Sequence, residues 1–394
     1  MLRTTNGEYS VNDSGSNIIA NKGTANIGGG KFTVTASGSN AIWSDRTLSI
    51  IDGGFKLTAP GSDLIVNEGE ARIYKNGTLY TKVYDDKFIL TNNAVGSNAI
   101  RNMANGKLTV TERTFDIGGK TSNAISNLAS GETTLTGGNV FNVNAVQSNA
   151  IYNKGDLALR GTSAKKDTFY IRGTQSSGVY NDAAGIITGS NFVFDIGVTD
   201  PISNQSKANG IVNLNVTGNP AISLSDGVFS INIQDSNGIN NAAANGGKVL
   251  LSSVNFNSMA YRTSGVQNDG TLTTIGGTFT VSGYQSNGIN NLATSTKTDT
   301  YGTNFTITSS ESNGIVNANT VSTTGGTFTI SGSESNGIVS LTSSTLVQSK
   351  GSIFNVNASY SNGINNLGAT DVKIDKHPNT SAKAQFNVLA NNSY

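Results

Sequence analysis

Ser286-Asn287-Gly288-Ile289-Asn290-Asn291 is one of fourteen versions of a single phrase, Ser-Asn-(Ala/Gly)-Ile-x-Asn, that begins at Ser16 and returns for the last time at Ser361. Successive copies are 23 to 35 residues apart, and the shortest step, 23, sets the length of one structural repeat. Longer steps are that repeat plus an insertion. The second position is Asn in eleven copies, the fourth is Ile or Val in all fourteen, and the sixth is Asn in twelve. The fifth varies freely (Trp43, Arg101, Tyr152, Gln267, Val316), while the third is usually Ala in early copies and Gly from Gly178 onward. Side chains alternate along a strand, so positions two, four and six share one face. Free variation marks the solvent side. The expectation is an inward Asn-Ile-Asn face and an outward strip of Ala and Gly.

A second signal runs in phase with the first. Phe stands seven residues before the motif serine, or its equivalent, in most copies, as at Phe279, Phe305, Phe328 and Phe354, and Tyr9 takes that place in the first. An aliphatic residue usually follows two positions later, which predicts another strand with an inward face. Glycine pairs such as Gly53-Gly54, Gly276-Gly277 and Gly325-Gly326 often precede it and permit a sharp corner. Before that comes a weaker Thr-Leu-x-x-Ile segment, as from Thr271 to Ile275. No segment carries the i, i+3, i+4, i+7 pattern of a helix.

The reading is an all-β chain: a parallel β-helix, or β-solenoid, with three short strands per rung and about 14 rungs. Rungs stacked ~4.8 Å apart make a rod of roughly 65 Å, treated as one array over residues 1–394. Inward residues form cross-rung ladders: Asn98, Asn123, Asn149, Asn237, Asn287, Asn313, Asn336 and Asn362 at position two, Ile100, Ile125, Ile239, Ile289, Ile315 and Ile338 at position four, and the Phe column. An unpaired buried amide costs ~1–3 kcal/mol, so such a ladder must be nearly continuous.

Composition narrows the function classes. Of 394 residues, 26 are basic and 25 acidic, for a formal net charge of +1, so nothing favours a nucleic acid or an anionic membrane as partner. There are no cysteines, hence no disulfide or thiolate chemistry. No apolar run approaches the length of a membrane-crossing helix, and residues 1–6 lack the apolar core of a signal peptide. Export signalled elsewhere, or a place within a longer array, is expected.

The phrases Ser286 to Asn291 and Gly325-Gly-Thr-Phe-Thr-Ile330, alternating along nearly the whole chain, resemble the passenger domains of large bacterial autotransporter-type adhesins. The resemblance implies a right-handed parallel β-helix, export to the cell surface or beyond, and a part in adhesion or aggregation. The family's export signal and C-terminal membrane barrel have no counterpart in these residues.

Parallel β-helices also include polysaccharide-degrading enzymes, which need paired carboxylates or a calcium cluster. Asp85 and Asp86 are neighbours in sequence and would face opposite ways; Asp200, Asp235 and Asp371 lie in different copies, and the one histidine is His377. The expectation is no enzyme, no cofactor and no metal.

Specificity is expected in the insertions at 71–87, 157–168 and 197–207. The first reads as a hairpin around Asn76-Gly77 displaying Arg72, Tyr74, Lys75, Tyr80, Lys82 and Tyr84, where tyrosines beside cations suit a glycan or protein of a host or neighbouring cell. The second offers Arg160, Lys165, Lys166 and Arg172. The leading expectation is thus a bacterial cell-surface adhesin or structural stalk without direct membrane insertion. The alternative is a subunit of an extracellular filament or sheath, assembled end to end through open ends or by lateral packing along the outward strip of Ala and Gly.

Overall fold

The structure, a computed structural model, describes all residues except 76–86, 183, 198–206, 218–219, 244–245, 369–370, 381 and 390–394. The chain is a β-solenoid in which each turn contributes one strand to each of three parallel sheets. It divides into two compact units, Met1–Val193 and Phe194–Tyr394, and the strand Phe192–Gly197 spans the boundary.

In the first unit, one sheet runs from Leu2–Thr5 to Ile186–Ser190, a second from Glu8–Val11 to Asp167–Ile171, and a third from Asn17–Asn21 to Ser177–Asn181. In the second unit the corresponding series are Ile222–Ser225 to Asp371–Asp375, Val228–Asn232 to Gln385–Val388, and Asn209–Asn213 to Asn362–Asn366. The strand Leu2–Thr5 precedes that of Tyr9 and pairs with Thr24–Gly28.

Like pairs with like in register. Phe115 lies beside Phe141, and Ile100 beside Ile125. Within the first unit the Phe rings stack at 4.7 to 4.9 Å between centroids from Phe32 to Phe169. Within the second they stack at 4.6 to 5.0 Å from Phe194 to Phe386. That spacing is the parallel-strand hydrogen-bond distance, so the backbone ladder dictates the ring separation. From Ile19 to Ile338 each rung also buries an Ile or Val at motif position four, and neither residue type could be buried within one isolated rung.

The Asn strand departs from simple alternation. Ala41, Ala99, Ala124 and Ala150 at position three are fully buried, and so is Ile at position four. Position two faces outward in most copies: Asn123, Asn149, Asn237, Asn287, Asn313 and Asn362 are half-exposed, and only Asn98 and Asn336 of the expected inward ladder are buried. Residues pair across rungs at positions two, four, five and six but not at three. The strand bends there, so two consecutive side chains point inward, as happens where pairing is locally interrupted. The outward strip of Ala and Gly is therefore an inward one, and lateral packing through it has no surface to use.

Two amide ladders result. At position six, Asn67, Asn102, Asn127 and Asn153 each donate Nδ2 to the Oδ1 of the next rung at 2.8 Å. Asn213, Asn241, Asn268 and Asn291 do the same at 2.8 to 2.9 Å. At position two the ladder runs the other way: Asn123 donates to Asn98, and Asn149 to Asn123. The motif serine adds a staple. Ser122 Oγ accepts the Ser97 N–H at 3.1 Å and donates to the Ala94 carbonyl at 2.6 Å. Ser148 and Ser312 repeat the pattern. One hydroxyl thus satisfies a backbone donor and a backbone acceptor at a buried corner, where either left alone would be costly.

The residue before that serine is left-handed in every copy. Gly15, Gly38, Gly61 and Gly96 hold φ of 60° to 72°. The next ten, from Thr121 to Tyr360, are not glycine and hold φ of 52° to 67°. The corner is imposed by the stack, since only Gly adopts this conformation without strain.

Candidate ligand-contact surface

With Ile, Ala and the sixth-position Asn turned inward, position five and the half-exposed position-two amides form the outer face of the third sheet. In the first unit, position five reads Trp43, Val66, Arg101, Ser126, Tyr152 and Tyr180 on successive rungs. A shallow depression over Asn98–Asn102, Asn123–Asn127 and Asn149–Asn153 is lined by Asn98, Arg101, Asn123, Ser126, Asn149 and Tyr152, with Thr121 and Leu128 at its rim.

Its charges are paired. Arg101 Nη2 lies 2.9 Å from Asp63 Oδ2, and the Asn98 Nδ2 donates to Asp63 Oδ1 at 2.8 Å. Burial pushes the Asp63 carboxyl above the ordinary carboxylate range, and Arg101 and Asn98 pull it partly back. The Tyr152 hydroxyl donates to Asp182 Oδ2 at 2.5 Å, and Lys154 Nζ is 3.2 Å from the same oxygen. Burial, with Asp182 adding to it, pushes the Tyr152 phenol upward. The Tyr152 ring stacks on Tyr180 at 5.8 Å, with Lys154 Nζ 5.4 Å from its centroid. Further along, Trp43 Nε1 donates to Glu68 at 3.1 Å.

The sequence-derived contact residues lie elsewhere. Arg72 and Tyr74 come together in a second depression on the outer face of the first sheet, beside Glu70, Thr109 and Thr111. Arg72 donates to Glu70 Oε1 at 2.8 Å. Lys75 is exposed just beyond that strand. Tyr80, Lys82 and Tyr84, the Asn76-Gly77 turn, Asp85 and Asp86 lie outside the described residues, as does most of the 197–207 insertion with Asp200.

In the 157–168 insertion, residues 157–160 complete the strand Asp156–Arg160 and Asp167 opens Asp167–Ile171, leaving 161–166 as the loop. Thr162 and Lys165 close it with reciprocal backbone bonds of 3.0 and 3.2 Å. Arg160 is exposed at the strand end, Lys165 pairs with Glu112, Lys166 is half-buried, and Arg172 lies 5.3 Å over the Tyr170 ring. Lys165 and Arg172 thus have different partners. Asp235 pairs with Arg262 at 3.0 Å, Asp371 is exposed, and His377 Nδ1 accepts the Asn379 N–H at 3.2 Å. Among the described residues no three His, Asp or Glu side chains come together as a metal site would require.

The third-sheet face was hidden in plain view. Position five looks like unconstrained solvent surface when copies are compared one by one. Only the register, which lays Arg101, Ser126, Tyr152 and Tyr180 on consecutive rungs, turns that variation into a surface.

Compared with known proteins, the chain matches no family model, and no curated protein is significantly similar to it.

Proposed function

We propose that the chain is a non-catalytic bacterial cell-surface adhesin or structural stalk, in which the solenoid acts as a scaffold that presents side chains to a neighbouring cell or host. The observation that carries this reading is the outward row Trp43, Arg101, Tyr152 and Tyr180 on a backbone held by two amide ladders and a ring stack. Rigid elements hold contact residues in place at little entropic cost. The resemblance of the repeat to autotransporter-type passenger domains supports an extracellular setting. Several carboxylates (Asp63, Asp116, Asp182, Asp235) are engaged by Arg101, Lys87, Lys154 and Arg262, an arrangement suited to structure more than to acid–base work.

Beads coated with the purified chain and exposed to bacterial and epithelial cells test this reading. Retention well above that of albumin-coated beads is expected. Retention equal to albumin on every cell type overturns adhesion.

A further inference from the structure

The depression around Tyr152 has a chemistry more specific than general adhesion, and the inference rests on the adhesive reading above. We propose that it is a binding site for a neutral glycan, with the Tyr152 ring as the stacking platform and the half-exposed amides of Asn123 and Asn149 as the hydrogen-bonding edge.

The amide row comes first. Asn98, Asn123 and Asn149 sit on successive rungs, each Nδ2 donating to an oxygen of the rung before at 2.8, 2.9 and 3.0 Å. A carboxamide has two N–H donors and an oxygen with two lone pairs. The ladder engages one donor of each, and the half-exposed Asn123 and Asn149 retain a donor and acceptor capacity toward the depression. A donor beside an acceptor, repeated rung by rung, complements a row of hydroxyl groups, each of which is itself donor and acceptor.

The ring comes second. Tyr152 is half-exposed and held by Asp182 at its hydroxyl, by the stacked Tyr180 ring and by Lys154, whose Nζ is 5.4 Å from the ring centroid. A ring so held loses little freedom on binding. A pyranose presents polar edges and an apolar C–H face, and a depression with amides along one side and a fixed ring at the end matches both.

Charge decides among ligands. Arg101 is paired with Asp63, and Lys154 with Asp182. A nucleic acid or acidic polymer calls for cations free to neutralise it. A protein partner requires an interface of about 800 Å² per side, far more than three rungs of a shallow depression offer. The second unit serves as an internal control. Its position-two amides form the same kind of ladder, as from Asn313 to Asn287, but its described fifth positions, such as Asn240, Gln267, Asn290 and Val316, carry no ring.

The test uses the full chain on an array of neutral and acidic glycans, followed by calorimetric titration with the best neutral oligosaccharide. The expected results are neutral glycans bound, affinity reduced roughly ten-fold or more by Tyr152→Ala, a smaller loss for Tyr152→Phe, and no change for Gln267→Ala. Ser126→Arg, which fills the depression on the rung beside Tyr152 while leaving the ring in place, should also abolish binding, and it decides the matter if Tyr152→Ala fails to fold. Binding of acidic glycans alone, binding of none, or neutral-glycan binding that survives both Tyr152→Ala and Ser126→Arg in folded protein overturns the site. The bead assay separates the two readings. Cell retention without neutral-glycan binding leaves the adhesin and removes this site; glycan binding without cell retention does the reverse.

Discussion

Backbone strain at single residues is where this fold meets resistance from its own sequence. Thr121 is β-branched and sits at φ 54° in the corner before a motif serine, a conformation that costs a non-glycine residue about 1–2 kcal/mol. Thr121→Gly should therefore raise the thermal midpoint, with a gain of about 1 kcal/mol. The converse is Gly38→Ala. A Cβ at Gly38 meets nothing within 4 Å, so any loss, again about 1 kcal/mol, is purely conformational at its φ of 66°. Opposite signs for the two variants in parallel melts support the strain argument, and equal signs refute it. Four of these corner residues are glycines in the early copies, so this corner was partly legible in sequence. The other ten were not, because their side chains disguise a conformation that stacking alone enforces.

A second residue-scale prediction concerns Asp167, fully buried at a corner and held by the Asn139 N–H and Nδ2 at 3.2 and 2.8 Å. Burial pushes its carboxyl above the ordinary range, and the Asn139 bonds offset part of that. When the folded pKa exceeds the unfolded one, stability is complete below the unfolded value and declines as pH rises through the folded value. Asp167→Asn should match the parent in acid and exceed it near neutral pH. Melting curves across that interval check this, and parallel pH profiles for parent and variant would remove Asp167 as the source.

At the scale of the strand, glycine at motif position three marks tight contact inside the solenoid. A Cβ on Gly288 would lie 2.7 Å from the Gly314 carbonyl oxygen and 3.0 Å from the Phe305 ring. Gly288→Ala is thus expected to destabilise the second unit by about 1–3 kcal/mol, the usual cost of overpacking. A neutral effect in chemical denaturation would mean that the bend at position three relaxes freely. The sequence pattern placed this residue outside because strict alternation was assumed, and the bend that breaks alternation depends on hydrogen bonds to the rungs on either side. The same bend moved the position-two amides outward and so created the candidate site. The strand types themselves were legible, since the Phe strand, the Asn-Ile strand and the weaker Thr-Leu segment recur in phase on most rungs.

For the molecule as a whole, stability is built from nearest-neighbour contacts. Phe141 stacks between Phe115 and Phe169 at 4.9 and 4.7 Å. Phe141→Ala removes both contacts and should cost about 3–5 kcal/mol. In a quasi-one-dimensional array the loss spreads first to adjacent rungs. Hydrogen exchange should show protection falling around Phe115 and Phe169 before it falls around Phe32. A uniform loss throughout the first unit would instead reveal a single cooperative block.

The repeat period, the three parallel strands per turn, and the identities of the Phe and Ile columns follow from sequence alone, because a ladder demands the same residue at the same place on each rung. Which face each amide occupies, which non-glycine residues turn left-handed, and which outward side chains become neighbours follow only from the tertiary structure. Those features depend on contacts between residues 23 or more positions apart, as with the Asn123 amide against Asn98 or the Tyr152 ring against Tyr180. A single rung holds no record of what lies above and below it.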